Sequence, residues 1–142
     1  MALLNAPSNK TQSSEIRTNF RVVLLLVSLY TLLNFGALGV LASQPHGSHS
    51  ATPSAWIHGI IVAATSLLMA SFTVRMARGS ARALLRLRIT SAIMVVAIAI
   101  IESIPGSFPS WMKIEEGVCG VLLLTVVIMI NGSKMRSALA NN

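Results

Sequence analysis

Six titratable side chains that could carry proton or metal chemistry lie close to the ends of long apolar segments. They are His46, His49, His58, Glu102, Glu115 and Glu116. Glu102 is the most unusual, because it follows the apolar run 97–101 and a charged acid at the bilayer centre costs about 2.5–3.5 kcal/mol. Two interpretations stay open. Glu102 could handle a proton or a cation, or it could reach the membrane interface, since Pro105 follows three residues later.

The histidines and the other two acids could form a metal or proton site. Imidazole and carboxylate groups bind divalent metals, and His46 and His49 are three residues apart. No further ligand pattern accompanies this spacing, so the sequence predicts no bound metal and no cofactor. If a metal did bind, the candidate ligands would be His46, His49 and His58. Glu115 and Glu116 have a structural alternative, because acids in the first turn of a helix interact favourably with its dipole.

Four apolar segments must position these side chains. The chain of 142 residues is 54% hydrophobic and 11% charged, against about 25% charged in soluble domains. A spanning helix needs about 20 apolar residues, and the sequence predicts such helices at about 22–42, 56–76, 84–103 and 112–130. A cleaved signal peptide, the alternative for the first segment, would have an apolar core of only about 7–15 residues.

The predicted fold class is all-α, a four-transmembrane-helix up-down-up-down bundle. The three connections are short, which favours antiparallel neighbours. The bundle is predicted to occupy residues 20–136. Residues 1–19 are polar and lack an apolar period, so a disordered cytoplasmic tail is expected there, and residues 137–142 form a second cytoplasmic tail.

The basic residues are distributed asymmetrically about these segments. Only Lys113 falls on one side of the predicted bundle. The ten on the other side are Lys10, Arg17, Arg21, Arg75, Arg78, Arg82, Arg86, Arg88, Lys134 and Arg136. Because cytoplasmic loops are enriched in Lys and Arg, both termini are predicted to be cytoplasmic.

Four arginines surround the second connection. Arg75, Arg78, Arg82 and Arg86 would share one face if this connection were helical, although Gly79–Ser80 could interrupt it. Such a face could bind anionic lipid headgroups, with about 1 kcal/mol for each basic residue. The alternative is that these arginines only determine topology. Nucleic acid is not an expected partner, because no aromatic residues that could stack on bases are interleaved.

Polar and small residues inside the apolar segments point to helix packing. Asn34 is expected to make an interhelical hydrogen bond, typically about 0.6–2 kcal/mol in membranes. Gly36, Gly39, Gly117 and Gly120 are expected to allow close approach of helices, within the chain or between copies.

No enzyme motif accompanies these residues. The single cysteine, Cys119, excludes an internal disulfide and is interpreted as a buried packing residue unless water and a base are close to it. The sequence has no HExxH, P-loop, GxGxxG or paired-cysteine motif. We therefore do not expect an enzyme.

The last forty residues carry a resemblance. The residues concerned are Pro105-Gly106, Pro109, Trp111-Met112-Lys113-Ile114-Glu115, Cys119-Gly120 and Asn131-Gly132. This segment resembles the closing segment of small four-span bacterial membrane proteins of uncharacterised role. The resemblance implies a bacterial-type plasma membrane and no particular activity. Small multidrug exporters also have four spans, but their essential acid lies in the first helix, where this sequence has none.

Two functions remain as the main hypotheses, and a third, weaker hypothesis is extracytoplasmic metal sensing through His46, His49 and His58. The first is an accessory or structural subunit within the membrane, in contact with the lipid bilayer and its anionic headgroups and joined to a larger membrane complex or to copies of itself. The second is a small oligomeric transporter or channel that uses Glu102 to couple protons or cations. The two differ in whether Glu102 is needed for function.

Overall fold

The protein is an all-α bundle of four helices. The computed structural model describes residues 6–45, 52–106, 108–133 and 137, with side chains from residue 14 onward. The helices are α1 (Ala6–Ser43), α2 (Pro53–Ala77), α3 (Ala81–Ser103) and α4 (Ser110–Asn131). The predicted fold class is confirmed, and each apolar segment of the sequence lies within one helix.

Each helix packs on its two neighbours in a closed ring. The contacts join α1 to α2, α2 to α3, α3 to α4, and α4 back to α1. Consecutive helices run antiparallel, so α1 and α3 end where α2 and α4 begin. We call this end of the bundle the His58 end, and the opposite end, which contains the α2–α3 turn, the Arg78 end.

The buried side chains follow a repeat with alternating spacings of three and four residues. The buried set on α4 is Met112, Glu116, Cys119, Leu123, Val126 and Ile130. This spacing is the one found where nearly parallel or antiparallel helices interlock at a crossing angle of about 20°. This spacing directs one stripe of side chains on each helix toward the axis of the bundle. A polar residue at a stripe position is therefore buried as well.

Buried hydroxyl groups on the stripes bond to their own helices. The Ser66 hydroxyl donates to the Ala63 carbonyl at 2.7 Å, and the Thr73 hydroxyl donates to the Met69 carbonyl at 2.9 Å. Such bonds to the preceding turn satisfy a serine or threonine without a partner on another helix. These residues can therefore lie in the core without linking helices.

The surface of the bundle is strongly apolar. Large aliphatic side chains such as Leu25, Leu32, Ile61, Ile93 and Val121 are more than half exposed. All four helices are long and apolar enough to cross a membrane, and a bilayer is the solvent in which such a surface is stable. The chain is a multi-pass membrane protein.

The start of α1 differs from the sequence prediction. A disordered tail was predicted for residues 1–19, but α1 begins at Ala6, so this prediction is wrong for residues 6–19. Extending an existing helix adds one hydrogen bond for each residue fixed, which avoids the penalty of nucleation. Pro7 lies in the first turn, where its missing N–H has no helical partner to lose.

The α2–α3 connection is a tight turn rather than a helix. Gly79 has φ +91°, a left-handed conformation that favours glycine, and the Ser80 hydroxyl caps α3 by accepting from the Ala83 N–H at 3.3 Å. A single arginine face would require a helical connection, so the four arginines do not form one. Arg75 lies on α2, Arg78 in the turn, and Arg82 and Arg86 on α3. All four residues are exposed at the Arg78 end.

Candidate functional site

A histidine and a glutamate make direct contact inside the His58 end. His58 Nε2 and Glu116 Oε1 are 2.5 Å apart, and their side chains are 14% and 5% exposed, respectively. His58 belongs to α2 and Glu116 to α4, which lie diagonally across the bundle. The hydrogen bond therefore crosses the core and joins two helices that are not neighbours in the ring.

The helix registers explain why these side chains meet. Glu116 occupies a position of the buried stripe of α4, between Met112 and Cys119. His58 lies five residues into α2 and Glu116 six residues into α4, or roughly 8 and 9 Å along each axis at 1.5 Å per residue. Both are therefore held at one depth below the end of the bundle.

A second group of polar side chains lies deeper on the same side. The Cys119 thiol donates to Glu115 Oε1 at 3.2 Å, and the Asn34 amide lies 3.7 Å from Cys119 Sγ. The same amide nitrogen donates to the Tyr30 carbonyl at 2.7 Å. Asn34 thus contacts both its own helix and α4. Together with His58 and Glu116, these residues form what we call the polar cluster: Tyr30, Asn34, His58, Glu115, Glu116 and Cys119.

A small cavity adjoins the polar cluster. Its volume is about 10 Å³, and its polar lining comes from Asn34, His58, Glu115 and Glu116. A cavity needs at least about 10–15 Å³ of this kind to hold one water, together with two to four polar partners. The site can hold a single water molecule and is far too small for an organic substrate.

Two buried oxygens lack a hydrogen-bond partner in the part of the chain that the structure describes. They are the Tyr30 hydroxyl and Glu102 Oε1. An unpaired polar atom in an apolar environment is unfavourable by about 1–3 kcal/mol. Tyr30 belongs to the polar cluster, whereas half-buried Glu102 lies near the end of α3 and does not line the cavity.

The residues singled out in the sequence therefore have different placements. His58, Glu115 and Glu116 are brought together, while Glu102 stands apart from them. His46 and His49 lie outside the described residues. Within the described ranges, no three His, Cys, Asp or Glu side chains are arranged to hold a metal ion.

Of the four glycines proposed for helix packing, only one lies at a close contact between helices in the part of the chain that the structure describes. A Cβ added at Gly120 would lie 3.2 Å from Ile98 Cγ2, so Gly120 allows close contact between α3 and α4. A Cβ added at Gly36, Gly39 or Gly117 would meet nothing within 4 Å. These three do not support close packing within the chain, and packing between copies stays a prediction for them.

The pairing of His58 with Glu116 was missed from the sequence, although a signal exists for one partner. Glu116 is three residues before Cys119 and seven before Leu123, at positions of one buried stripe. An acid on such a stripe is directed into the bundle and needs a partner there. Its interpretation as a dipole-stabilising acid at the helix start ignored this register.

The polar cluster can share and relay protons. Imidazole, carboxyl and thiol groups all exchange protons, and a water in the cavity could connect groups that do not touch. No known protein family, curated protein or solved structure matches this chain. The resemblance of its last forty residues to small bacterial four-span proteins therefore stays a prediction.

Proposed function

We propose that this protein is an accessory or structural subunit that acts within the membrane by associating with another membrane protein. The observation that carries this proposal is the large exposed aliphatic surface of the bundle, together with an interior that holds only one small polar cavity among the described residues. The cavity at the polar cluster has room for one water only, so binding of a substrate there is not its function. What the chain offers to other molecules is its surface.

We assign the partner surface to the exposed aliphatic face of α3. The apolar part of α3 has 17% of its residues buried, against 22–28% for the other three helices. Its exposed aliphatic residues recur at helical spacing as Leu85, Ile89, Ile93, Val96 and Ile100. In a bilayer, close van der Waals packing between such faces drives helix association.

Native mass spectrometry tests this proposal. The protein would be purified in mild detergent from its own cells at native expression, with identification of all molecules that co-purify. A stoichiometric membrane-protein partner is expected. The variant Ile93→Trp on α3 should reduce that partner's yield severalfold, whereas Ile61→Trp, at a similarly exposed position on α2, should not. Recovery of the monomer alone would contradict the proposal.

The Arg78 end supports the proposed location. Exposed Arg75, Arg78, Arg82 and Arg86 at one end suit the cytoplasmic headgroup region of a bacterial-type plasma membrane, where anionic lipids attract basic residues. In this orientation the His58 end faces outward.

A second candidate function is a small oligomeric transporter or channel. It is favoured by Glu102, whose buried Oε1 has no hydrogen-bond donor among the described residues. This unpaired carboxylate oxygen could bind a cation, take up a proton, or accept a hydrogen bond from a second copy of the chain.

Transport by Glu102 predicts a clear effect of one substitution. In proteoliposomes, Glu102→Gln should abolish proton or cation flux while leaving oligomer formation intact, because the amide keeps the shape and removes the titratable group. Ser103→Ala, on the next residue of α3, is the matched control and should retain flux. Equal flux in wild type and Glu102→Gln would exclude this candidate.

A further inference from the structure

We propose that His58 and Glu116 form a proton-exchange site that is reached from the His58 end through the partly exposed imidazole of His58. The ligand is a proton, shared between the imidazole nitrogen and the carboxylate oxygen that it faces at 2.5 Å. When the other ring nitrogen, Nδ1, also carries a hydrogen, the pair has no net charge, which is the state best suited to a buried position. This inference does not depend on whether the protein has a partner subunit.

Access to the site is asymmetric. The His58 side chain is 14% exposed and the Glu116 side chain 5%, so the imidazole edge is the point where a proton enters or leaves. The Phe108 ring packs beside it, with the two ring centroids 5.1 Å apart. An imidazole can accept a proton at one nitrogen while the other stays hydrogen-bonded, which suits a group between water and a buried acid.

An apolar layer separates the pair from the end of the bundle. Leu41, Ala55 and Met112 form a small buried cluster. Ala55 lies three residues before His58 and Met112 four residues before Glu116, one helical turn closer to the end. Partly buried aromatic residues pack against this layer, namely Trp56, Phe108 and Trp111. The layer keeps bulk water out but leaves the imidazole edge as an entry point.

The groups that face the pair come from two helices. On α4 they are Glu115 and Cys119, hydrogen-bonded to each other. On α1 they are Asn34, which lines the cavity, and, further inside, Tyr30, which interacts electrostatically with Glu115 and Glu116. A water in the cavity could connect the pair to Glu115, since His58, Glu115 and Glu116 all line it.

Two other charged groups belong to the same end. Glu102, on α3, does not line the cavity. Lys113, on α4, donates from Nζ to the Ile104 carbonyl at 2.9 Å. Glu116 is therefore the acid with which His58 shares its proton, and the surrounding groups can modulate but not replace it.

Nitrogen NMR of the histidine rings tests the proposal directly. The full-length protein carrying His46→Ala and His49→Ala would leave His58 as the only histidine, since the chain has three. Its ring signals would be followed against pH in lipid nanodiscs. Substituting Glu116→Gln should move the midpoint of this titration, because it removes the carboxylate that faces the ring nitrogen at 2.5 Å.

Matched variants make the test decisive. Glu102→Gln should leave the midpoint of His58 unchanged, because Glu102 lies outside the cavity lining. Glu116→Asp, which keeps the charge but shortens the side chain, should give an intermediate midpoint and serves as the test if Glu116→Gln does not fold. Ring signals that do not respond to pH, or identical midpoints with and without the Glu116 carboxylate, would overturn the proposal.

Discussion

Replacing Glu116 with alanine is expected to lower the free energy of unfolding by about 3–5 kcal/mol, the usual effect of removing one partner from a buried ion pair. The substitution leaves His58 without its partner at a position only 14% exposed. It also removes the hydrogen bond that joins α2 to α4. Unfolding in mixed micelles can be followed by tryptophan fluorescence, because Trp56 and Trp111 both lie at this end.

Two controls separate this effect from general damage. Glu102→Ala removes an acid at the same end that has no hydrogen-bond partner at Oε1 among the described residues, so a much smaller loss is expected. The double variant His58→Leu/Glu116→Leu should recover most of the stability, because replacing both members of a buried pair with apolar groups is often neutral. A double variant no more stable than Glu116→Ala would show that the pair does not act as a unit.

Substituting Gly120→Val is expected to destabilise the bundle by about 1–3 kcal/mol, the range for overpacking a filled core. The added Cβ would lie 3.2 Å from Ile98 Cγ2. Ile98 is 5% exposed, and its β-branched side chain has few alternative rotamers within a helix. The contact between α3 and α4 must therefore open, which the same unfolding measurement would detect.

The neighbouring glycine of α4 provides the matched control for this prediction. A Cβ at Gly117 meets nothing within 4 Å, so Gly117→Val should change stability little. Combining Gly120→Val with Ile98→Ala should restore part of the loss by making room for the added methyl groups. Equal losses at Gly117 and Gly120 would instead indicate a helix-propensity effect without any contribution from the α3–α4 contact.

The sequence predicted the four spans because hydropathy and helix length are local properties. A segment of about 20 apolar residues has few alternatives to a spanning helix. The extension of α1 to Ala6 could not be predicted from hydropathy. Its polar residues carry no apolar period, and their helix depends on continuation from the span that follows.

The sequence placed less of the candidate site correctly, for a physical reason. In a bilayer the outside of a helix is as apolar as its core, so hydrophobicity does not reveal which side faces the bundle. Glu102 and Glu116 both lie near apolar segments, and the sequence favoured Glu102. The structure places Glu116 on a buried stripe opposite His58, and only the relative rotation of α2 and α4 could show this.

Cysteine labelling in intact cells tests most directly the proposal that α3 crosses the membrane and that the polar cluster lies near the outer surface. In a Cys119→Ala background, which removes the only native cysteine, one exposed position is changed at each end of the bundle, as Ser110→Cys or as Ala81→Cys. A membrane-impermeant maleimide should label the cysteine at 110 in intact cells and the cysteine at 81 only after permeabilisation. The reverse pattern, or labelling of both in intact cells, would contradict the claim.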